Sequence, residues 1–317
     1  MTPFSRRNFL ERSSLAALGL FLPSFARGSL PRSIRQEAAP LEIHIFSKHL
    51  QFLDYSDLAA AVKDIGFAGA DLTVRPGGHV EPERVEEQLP KAIEALQDAG
   101  LKTKMMTTAI TDANDTLSRK VLETAARHGI EQYRMGYFRY PGKVPIPTAL
   151  QIFQSKMAEL AQFNQELGLQ GAYQNHAGTY VGASIWEIWE LVKNAGDGVG
   201  CQYDIRHATV EGGRSWPIGL RLIQPWITNI VLKDFKWEQA NDQWRIINTP
   251  IGEGMVDFKQ YFKLLKSYDI QVPASMHLEY NLGGAEHGSN EIATSPTTVF
   301  AAMQKDLTTV QRLWQEA

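Results

Sequence analysis

The sequence lacks the features that mark several common functional classes. Cys201 is the single cysteine in 317 residues, which excludes an internal disulfide and a zinc site built from thiolates. A formal net charge of −3 is not the basic excess of an electrostatic nucleic-acid binder, so no nucleic-acid partner is expected. No Gly-x-Gly-x-x-Gly motif follows a predicted strand, which argues against a dinucleotide cofactor. Beyond the N-terminus, no run approaches the ~20 apolar residues that span a bilayer.

The first 26 residues have the pattern of an export signal. Arg6 and Arg7 lie in the segment Ser-Arg-Arg-Asn-Phe-Leu, an apolar run follows, and small residues surround a cleavage point after Ala26. This arrangement resembles a twin-arginine signal peptide over residues 1–26. It predicts export to the periplasm, with no membrane association after the signal is removed. An amphipathic N-terminal helix is the alternative interpretation. Residues 27–40 are predicted to be a linker.

From residue 41 onward, short apolar runs alternate with longer amphipathic stretches. Strands are predicted at 41–47, 69–74, 102–108, 132–137, 169–174, 199–204, 228–233 and 273–279. Helices are predicted at 55–65, 81–99, 115–128, 147–167, 183–194, 214–223, 256–267 and 297–315. Eight such units predict the α/β class and a single-domain (β/α)8 TIM barrel over residues 41–317. A doubly wound sheet shares the alternation, but the missing dinucleotide motif disfavours it.

Polar side chains end four successive predicted strands in the second half of the chain. The segments are 171–178, 201–207, 230–234 and 274–279. In a parallel barrel these strand ends meet at one mouth, where the active site is built. Because side chains alternate along a strand, Gln174 and His176 share one face, and His277 and Glu279 share another. We therefore expect a single polar site at this mouth.

Two groups of residues are candidates for binding at the mouth. The first offers carboxylate, imidazole and amide ligands, which suit a divalent metal ion such as Mn, Mg, Co or Zn. Its members are Asp204, Glu279, His176 and Gln174. The second is expected to bind the hydroxyls or a carboxylate of a substrate. Its members are Lys48, Arg75, His79, Arg134 and Asn175. Taken singly, such a residue is more commonly a hydrogen-bonded or salt-bridged residue of a barrel rim.

After the predicted signal peptide, the chain resembles the xylose-isomerase-like barrel superfamily of sugar isomerases and epimerases. The resemblance rests on segments 45–49, 69–79, 174–176, 204–207, 232–234, 251–258 and 277–279. Members that bind a divalent ion take their ligands from a Glu ending strand five, an Asp ending strand six, a His on strand seven and a Glu on strand eight. The resemblance therefore implies that Asp204 and Glu279 are metal ligands and that His207 contacts the substrate.

Two positions depart from the pattern of that superfamily. Gln174 occupies the place of the strand-five Glu, and Val231 occupies the place of the strand-seven His. The ion could be retained through His176 or His207. Alternatively, Lys233, which shares a strand face with Val231, supplies a fixed positive charge in place of the metal.

The resemblance implies a carbohydrate isomerase or epimerase that removes a proton next to a carbonyl, assisted by a metal. Glu279, His207 and Lys233 are the predicted catalytic residues. Because the amide of Gln174 cannot act as a base, a symmetrical exchange between two carboxylates is disfavoured. A lyase or hydratase acting on keto sugars is therefore the close alternative.

Two further alternatives belong to other functional classes. The altered ligand positions also fit a sugar-binding barrel without catalysis. A DNA-repair nuclease belongs to the same superfamily, but nuclease chemistry needs a basic surface and a richer ligand set than this sequence provides. The expected partner is a small-molecule carbohydrate, and a homo-oligomer is left open.

Overall fold

A computed structural model describes residues 39–317, so the predicted signal peptide and nearly all of the predicted linker lie outside the described residues. Eight parallel strands close into a barrel. They are β1 (Ile43–Phe46), β2 (Gly69–Val74), β3 (Lys102–Thr108), β4 (Gln132–Arg134), β5 (Gln170–Gln174), β6 (Val199–Asp204), β7 (Ile227–Leu232) and, after the hairpin of β8 (Asp234–Ala240) and β9 (Gln243–Thr249), β10 (Ala274–Met276). The order around the barrel is β1-β10-β7-β6-β5-β4-β3-β2.

Helices follow the strands in the described part of the chain. They are α1 (Tyr55–Ile65), α2 (Val85–Asp98), α3 (Thr116–Arg127), α4 (Ile146–Leu167), α5 (Ile185–Val192), α6 (Ile205–Gly212), α7 (Trp216–Ile223), α8 (Phe258–Ser267) and α9 (Pro296–Glu316). Side-chain oxygens of Asp54 and Asp115 accept the free N–H groups at the starts of α1 and α3. Gly168 ends α4 with a φ of 69°, a conformation that glycine adopts without strain. Within residues 39–317, no helix is both long and apolar enough to cross a membrane.

Alternation along the strands gives the barrel an outer and an inner face. Outward side chains such as Tyr133 and Tyr203 are fully buried and reach residues of α4 and α8. Inward side chains include Asp71, whose carboxylate accepts hydrogen bonds from Thr107 Oγ1 at 3.0 Å and from Ser275 Oγ at 2.7 Å. These three residues come from β2, β3 and β10, so polar side chains meet across the barrel interior. The next inward residues toward the carboxyl ends of the strands form the mouth.

The hairpin formed by β8 and β9 was absent from the predicted alternation of strands and helices. Asn241 and Asp242 form its two-residue turn with φ values of 52° and 59°, a backbone that Asn and Asp tolerate and that matches strand twist. Asp234, its first residue, accepts the N–H groups of Gly252, Gly254 and Val256. The hairpin is therefore fastened to the loop that precedes α8, beside the barrel mouth.

The predicted (β/α)8 barrel is confirmed, with corrections to individual elements. The strands predicted at 132–137 and 273–279 are shorter, Gln132–Arg134 and Ala274–Met276. Helix α6, which was not predicted, begins directly after β6, because the Asp204 side chain accepts the His207 N–H and caps a first turn there. Gln174 and Asp204 end their strands as predicted, whereas Lys233, His277 and Glu279 lie just beyond the strands to which they were assigned, on segments that form the mouth.

Candidate active site at the barrel mouth

Side chains from neighbouring strand ends meet at the mouth around one lysine. Lys233 Nζ lies 3.1 Å from Asp204 Oδ2 and 3.6 Å from Glu279 Oε1, and the lysine side chain is only 3% exposed. Gln174 Nε2 donates a hydrogen bond to the same Asp204 oxygen at 2.7 Å. The structure therefore brings together four of the predicted residues, with the ammonium group between the two carboxylates.

Asp204 is held from several directions. Its Oδ1 accepts the backbone N–H of His207 at 3.0 Å at the start of α6, where the helix dipole favours a negative charge. Asn175 Oδ1 accepts the Asp204 backbone N–H at 2.7 Å, and Asn175 Nδ2 donates to the Asp204 carbonyl at 3.0 Å. The side chain of Asp204 is 0% exposed. Asn175, predicted to bind substrate, makes its described hydrogen bonds with the β6 backbone and positions Asp204.

Glu279 is the more accessible of the two carboxylates, with a side chain 26% exposed. Burial alone would raise its pKa, but Lys233, His277 and Lys48 outweigh this effect and hold the pKa of Glu279 well below its ordinary value of 4.5. Lys48 Nζ lies 3.6 Å from Glu279 Oε1. Glu279 is therefore ionised at neutral pH and faces the opening. It can accept a proton most readily once a ligand has taken over its cationic partners.

The hydrogen bonds of His207 determine its tautomer. Its Nδ1 accepts the backbone N–H of Ala177 at 3.1 Å and faces Arg206 Nη1 at 3.0 Å. Because both of these partners can only donate, the ring proton lies on Nε2. Burial, and then the charge of Lys233, lower the pKa of His207 well below 6.5, so the ring is neutral. Nε2 is buried without a hydrogen-bond partner among the described residues and lies 3.7 Å from Asp204 Oδ2. The described residues therefore leave this N–H donor unused.

Aromatic rings line the β5 side of the mouth. The ring centroid of His176 lies 4.0 Å from that of His207 and 5.1 Å from that of Tyr137. The Tyr137 hydroxyl donates to Gln174 Oε1, which also accepts from Arg134 Nη1 at 3.1 Å. Gln174 thus uses both ends of its amide within the protein. Burial lowers the pKa of His176, which leaves a second neutral imidazole in the wall.

Two other residues predicted to bind substrate, His79 and Arg75, differ in how many contacts they make within the protein. His79 Nδ1 lies 3.1 Å from Ser47 Oγ, and its Nε2 lies 3.1 Å from the Leu50 carbonyl oxygen. Burial lowers the pKa of His79 to about 4. Both ring nitrogens are therefore engaged in holding the segment after β1. Arg75, in contrast, lies over the ring of Phe46 with its guanidinium carbon 5.4 Å from the centroid.

His277 contributes to the site although the sequence assigned it no role. Its ring stacks on Phe46 with centroids 4.3 Å apart, and its Nδ1 lies 3.8 Å from Glu279 Oε1. Burial lowers its pKa to about 3 despite the nearby Glu279 carboxylate. The neutral ring therefore lies against the Glu279 carboxylate without adding a positive charge to the site. Its position on the same strand face as Glu279 was the signal available in the sequence.

Three further residues of the site were missed. Tyr137 lies beyond the end of β4, and Arg206 lies in the unpredicted helix α6. Asn248 of β9 donates to the Glu279 carbonyl at 3.2 Å and accepts from Arg206 Nη2 at 2.8 Å. The hairpin is what brings Asn248 to the mouth. Its two-residue Asn-Asp turn between alternating runs was the sequence signal for it.

The donor set does not fit a divalent metal ion. In the part of the chain that the structure describes, no group of three or more His, Cys, Asp or Glu side chains is placed to hold one. The position between Asp204 and Glu279 is taken by the ammonium of Lys233. Gln174 turns its N–H toward Asp204, and His207 presents a protonated nitrogen. The predicted metal ligands thus converge only in part, and the positive charge at this point belongs to Lys233.

The fold and the mouth together define a (β/α)8 barrel with ionisable residues where such barrels carry their active sites. The sequence profile of the xylose isomerase-like TIM barrel family matches residues 59–294. The chain belongs to this family, which confirms the resemblance drawn from the sequence. No significant match is found among curated proteins.

Solved structures of similar fold include an epimerase, a dehydratase and a magnesium complex. The 3-keto-D-glucoside 4-epimerase of E. coli has a TM-score of 0.63 and 13% identity, covering 86% of this chain and 99% of its own. The probable 3-DHS dehydratase of Bacillus anthracis has a TM-score of 0.64 and 13% identity, covering 84% and 99%. A xylose isomerase-like barrel protein of Mycobacterium smegmatis, in complex with magnesium, has a TM-score of 0.58 and 15% identity, covering 83% and 89%. At these identities the likeness establishes the fold.

Proposed function

We propose that the protein is a carbohydrate isomerase or epimerase that removes a proton from the carbon next to a carbonyl group. Its family, and the sugar epimerase among the proteins of similar fold, support a sugar substrate. The observation that carries the proposal is the pairing of an ionised, partly open Glu279 with the ammonium of Lys233 at 3.6 Å. A base and a fixed cation this close together can act on a C–H bond and on the adjacent carbonyl oxygen of one substrate.

In this scheme Glu279 is the base, and Lys233 stabilises the negative charge that develops on the carbonyl oxygen. A carbonyl oxygen bound at Lys233 becomes more polarised, and the negative charge that develops as the proton leaves is held by the ammonium. Once Lys233 and Lys48 interact with the substrate, they lower the pKa of Glu279 less strongly, so the carboxylate becomes a stronger base. Lys233 therefore supplies from the chain itself the charge stabilisation that the superfamily resemblance assigns to an ion.

His207 is proposed to bind the substrate oxygen next to the reacting carbon. Its buried Nε2–H has no partner among residues 39–317, and the Ala177 N–H holds the ring in the tautomer that donates. A neutral imidazole in this position gives a hydrogen bond without adding a further positive charge. The ring of His176 packs against that of His207, tilted by 35° with the centroids 4.0 Å apart, and limits its movement.

Loss of water from a keto sugar is the second candidate reaction. Epimerisation between two carboxylates needs a base on each face of the sugar, and Gln174, bound to Asp204 through its N–H, cannot accept a proton. After Glu279 removes the α-proton, a double bond can form as a β-hydroxyl leaves, and the departing hydroxyl takes that proton as water. The probable dehydratase of similar fold supports this alternative.

Exchange of the substrate proton with solvent tests both candidate reactions, because each begins with removal of that proton by Glu279. Ketoses and keto sugars are incubated with the protein in deuterium oxide, and proton NMR follows deuterium entering next to the carbonyl. We expect exchange with the unaltered protein and a loss of about 10²–10⁴-fold in Glu279→Gln. Glu253→Gln is the matched control, because Glu253 is half exposed and pairs with Lys305 away from the mouth. A new conjugated double bond, seen by ultraviolet absorbance, identifies elimination. Sugar binding without exchange on any of these compounds would mean a non-catalytic barrel.

A further inference from the structure

The inner face of the mouth carries more positive than negative charge. Its cationic residues are Lys48, Arg75, Arg134, Arg206 and Lys233. The two lysines pair with Asp204 and Glu279, at distances between 3.1 and 3.6 Å. None of the three arginines has a carboxylate within ion-pairing distance among residues 39–317. Arg206 bonds to Asn248 and His207, and Arg75 and Arg134 are the two unpaired guanidinium groups on the β2–β4 side of the mouth.

Arg134 is the more deeply buried of these two arginines. Its side chain is held by neutral acceptors, with Nη1 2.8 Å from the Tyr137 hydroxyl and 3.1 Å from Gln174 Oε1. The residue is 7% exposed, and its Nε has no hydrogen-bond partner in the described part of the chain. A buried, charged N–H donor without a hydrogen-bond partner lowers the stability of the folded protein unless a ligand accepts a hydrogen bond from it.

Arg75 is the second unpaired arginine. It is half-buried, makes no hydrogen bond with any described residue, and contacts the ring of Phe46. Asp71 precedes it on the same inner face and its charge raises the pKa of Arg75, but Asp71 makes no ion pair with it, and its oxygens accept hydrogen bonds from Thr107 and Ser275. Burial raises the pKa of Asp71. Burial, and then the charge of Arg134, lower the pKa of Arg75, so an anion beside the two arginines would stabilise both.

The barrel order places the two arginines on either side of one strand. Arg75 follows β2 and Arg134 ends β4, and both strands pair with β3, where Thr73, Thr107 and Arg134 lie in one register. Their strands are therefore about 9–10 Å apart, a gap that two long side chains can close on one ligand group. Strand β3 lies across the closed barrel from β7, which leads to Lys233. A substrate bound to both regions spans the mouth.

We propose that Arg75 and Arg134 bind a carboxylate of the substrate, so that the substrate is a sugar acid whose carboxylate is remote from the reacting carbonyl. This inference rests on the proposed function for the position of the carbonyl at Lys233. Guanidinium groups present parallel N–H donors that match the two oxygens of a carboxylate. A neutral sugar would leave both guanidinium groups without an ion-pair partner.

Three ligands that differ only at one carbon test this inference. D-fructuronate, D-fructose and D-fructose 6-phosphate carry a carboxylate, a hydroxyl and a phosphate at that carbon. Their binding to the Glu279→Gln variant, which cannot turn them over, is measured by titration calorimetry. We expect D-fructuronate to bind at least 10-fold more tightly than D-fructose, since a hydrogen bond to a charged group contributes about 10-fold or more to affinity. In the same background, Arg75→Met should remove that preference and Arg75→Lys should retain part of it.

Arg214→Met is the control, because Arg214 is exposed on the short turn before α7. It should leave the preference for D-fructuronate unchanged. Equal affinity for D-fructuronate and D-fructose, or absence of binding by D-fructuronate, would overturn the proposal. Tighter binding of D-fructose 6-phosphate than of D-fructuronate would overturn the assignment of a carboxylate. Binding needs no proton transfer, so the two proposals can fail separately. A preference for the carboxylate without deuterium exchange in the unaltered protein would refute the proposed reaction but would still support the arginine site.

Discussion

Replacing Lys233 with methionine removes one charge from the centre of the site and keeps most of the side chain's volume. Asp204, which is 0% exposed, loses a cation at 3.1 Å, and Glu279 loses one at 3.6 Å. Breaking a buried ion pair by removing one partner costs about 3–5 kcal/mol. Asp204 keeps its hydrogen bonds from Gln174 and from the His207 N–H. We therefore expect Lys233→Met to lower the free energy of unfolding by about 3 kcal/mol, the smaller end of that range.

The change should also slow catalysis, because the developing negative charge loses its fixed partner. Removal of one such stabilising group costs about 10²–10³-fold in kcat. Urea unfolding at pH 7 measures the stability, and the deuterium exchange rate measures the activity. Lys236→Met is the matched control, since Lys236 pairs with Glu238 on the exposed hairpin and should change stability by less than ~0.5 kcal/mol. If Lys233→Met unfolds at the same urea concentration as Lys236→Met, the lysine does not hold the two carboxylates as described.

Three other measurements test the export signal, the Gln174 amide and the ionisation of Glu279. Replacing Arg6 and Arg7 with lysine should keep the unprocessed precursor in the cytoplasm, which cell fractionation and mass spectrometry would detect. Normal processing of the double variant would exclude a twin-arginine signal. Gln174→Glu should fold but exchange more slowly, because a second carboxylate replaces the N–H that Asp204 accepts at 2.7 Å; an unchanged rate would show that this amide is not needed. Since Glu279 has a lowered pKa in the folded protein, its ionisation contributes stability above about pH 4–5 that is lost as the pH falls through its folded value. The difference in urea stability between the protein and Glu279→Gln should therefore shrink on acidification, and a difference that stays constant from pH 7 to pH 3 would contradict this.

The barrel itself could be predicted because every β/α unit repeats the same pattern. Alternation along the strands put Lys233 on the face of Val231 and Glu279 on the face of His277, and Asp204 was placed at a strand end; the structure brings these three residues together. Such predictions depend on local periodicity and on the rule that parallel strand ends share one mouth. They need no knowledge of a specific contact.

The parts that could not be predicted depend on contacts between distant segments. The tautomer of His207 follows from the Ala177 N–H, thirty residues away in sequence. The direction of the Gln174 amide follows from Arg134 and Tyr137 on one side and Asp204 on the other. Periodicity carries no information on which end of an amide faces a neighbour. Residue types likewise left two alternatives open for the positive charge, a divalent ion or Lys233, and the structure places the Lys233 ammonium between the two carboxylates.

We propose that Lys233, together with Glu279 as the base, lets the site remove a proton next to a carbonyl without a bound ion. Deuterium exchange into an accepted keto sugar is therefore measured before and after exhaustive treatment with a chelator, with the metal content checked by elemental analysis. We expect the metal-free protein to keep its full exchange rate, and added Mn²⁺ or Mg²⁺ not to raise that rate. Loss of exchange on chelation, with recovery when either ion is returned, would contradict the proposal.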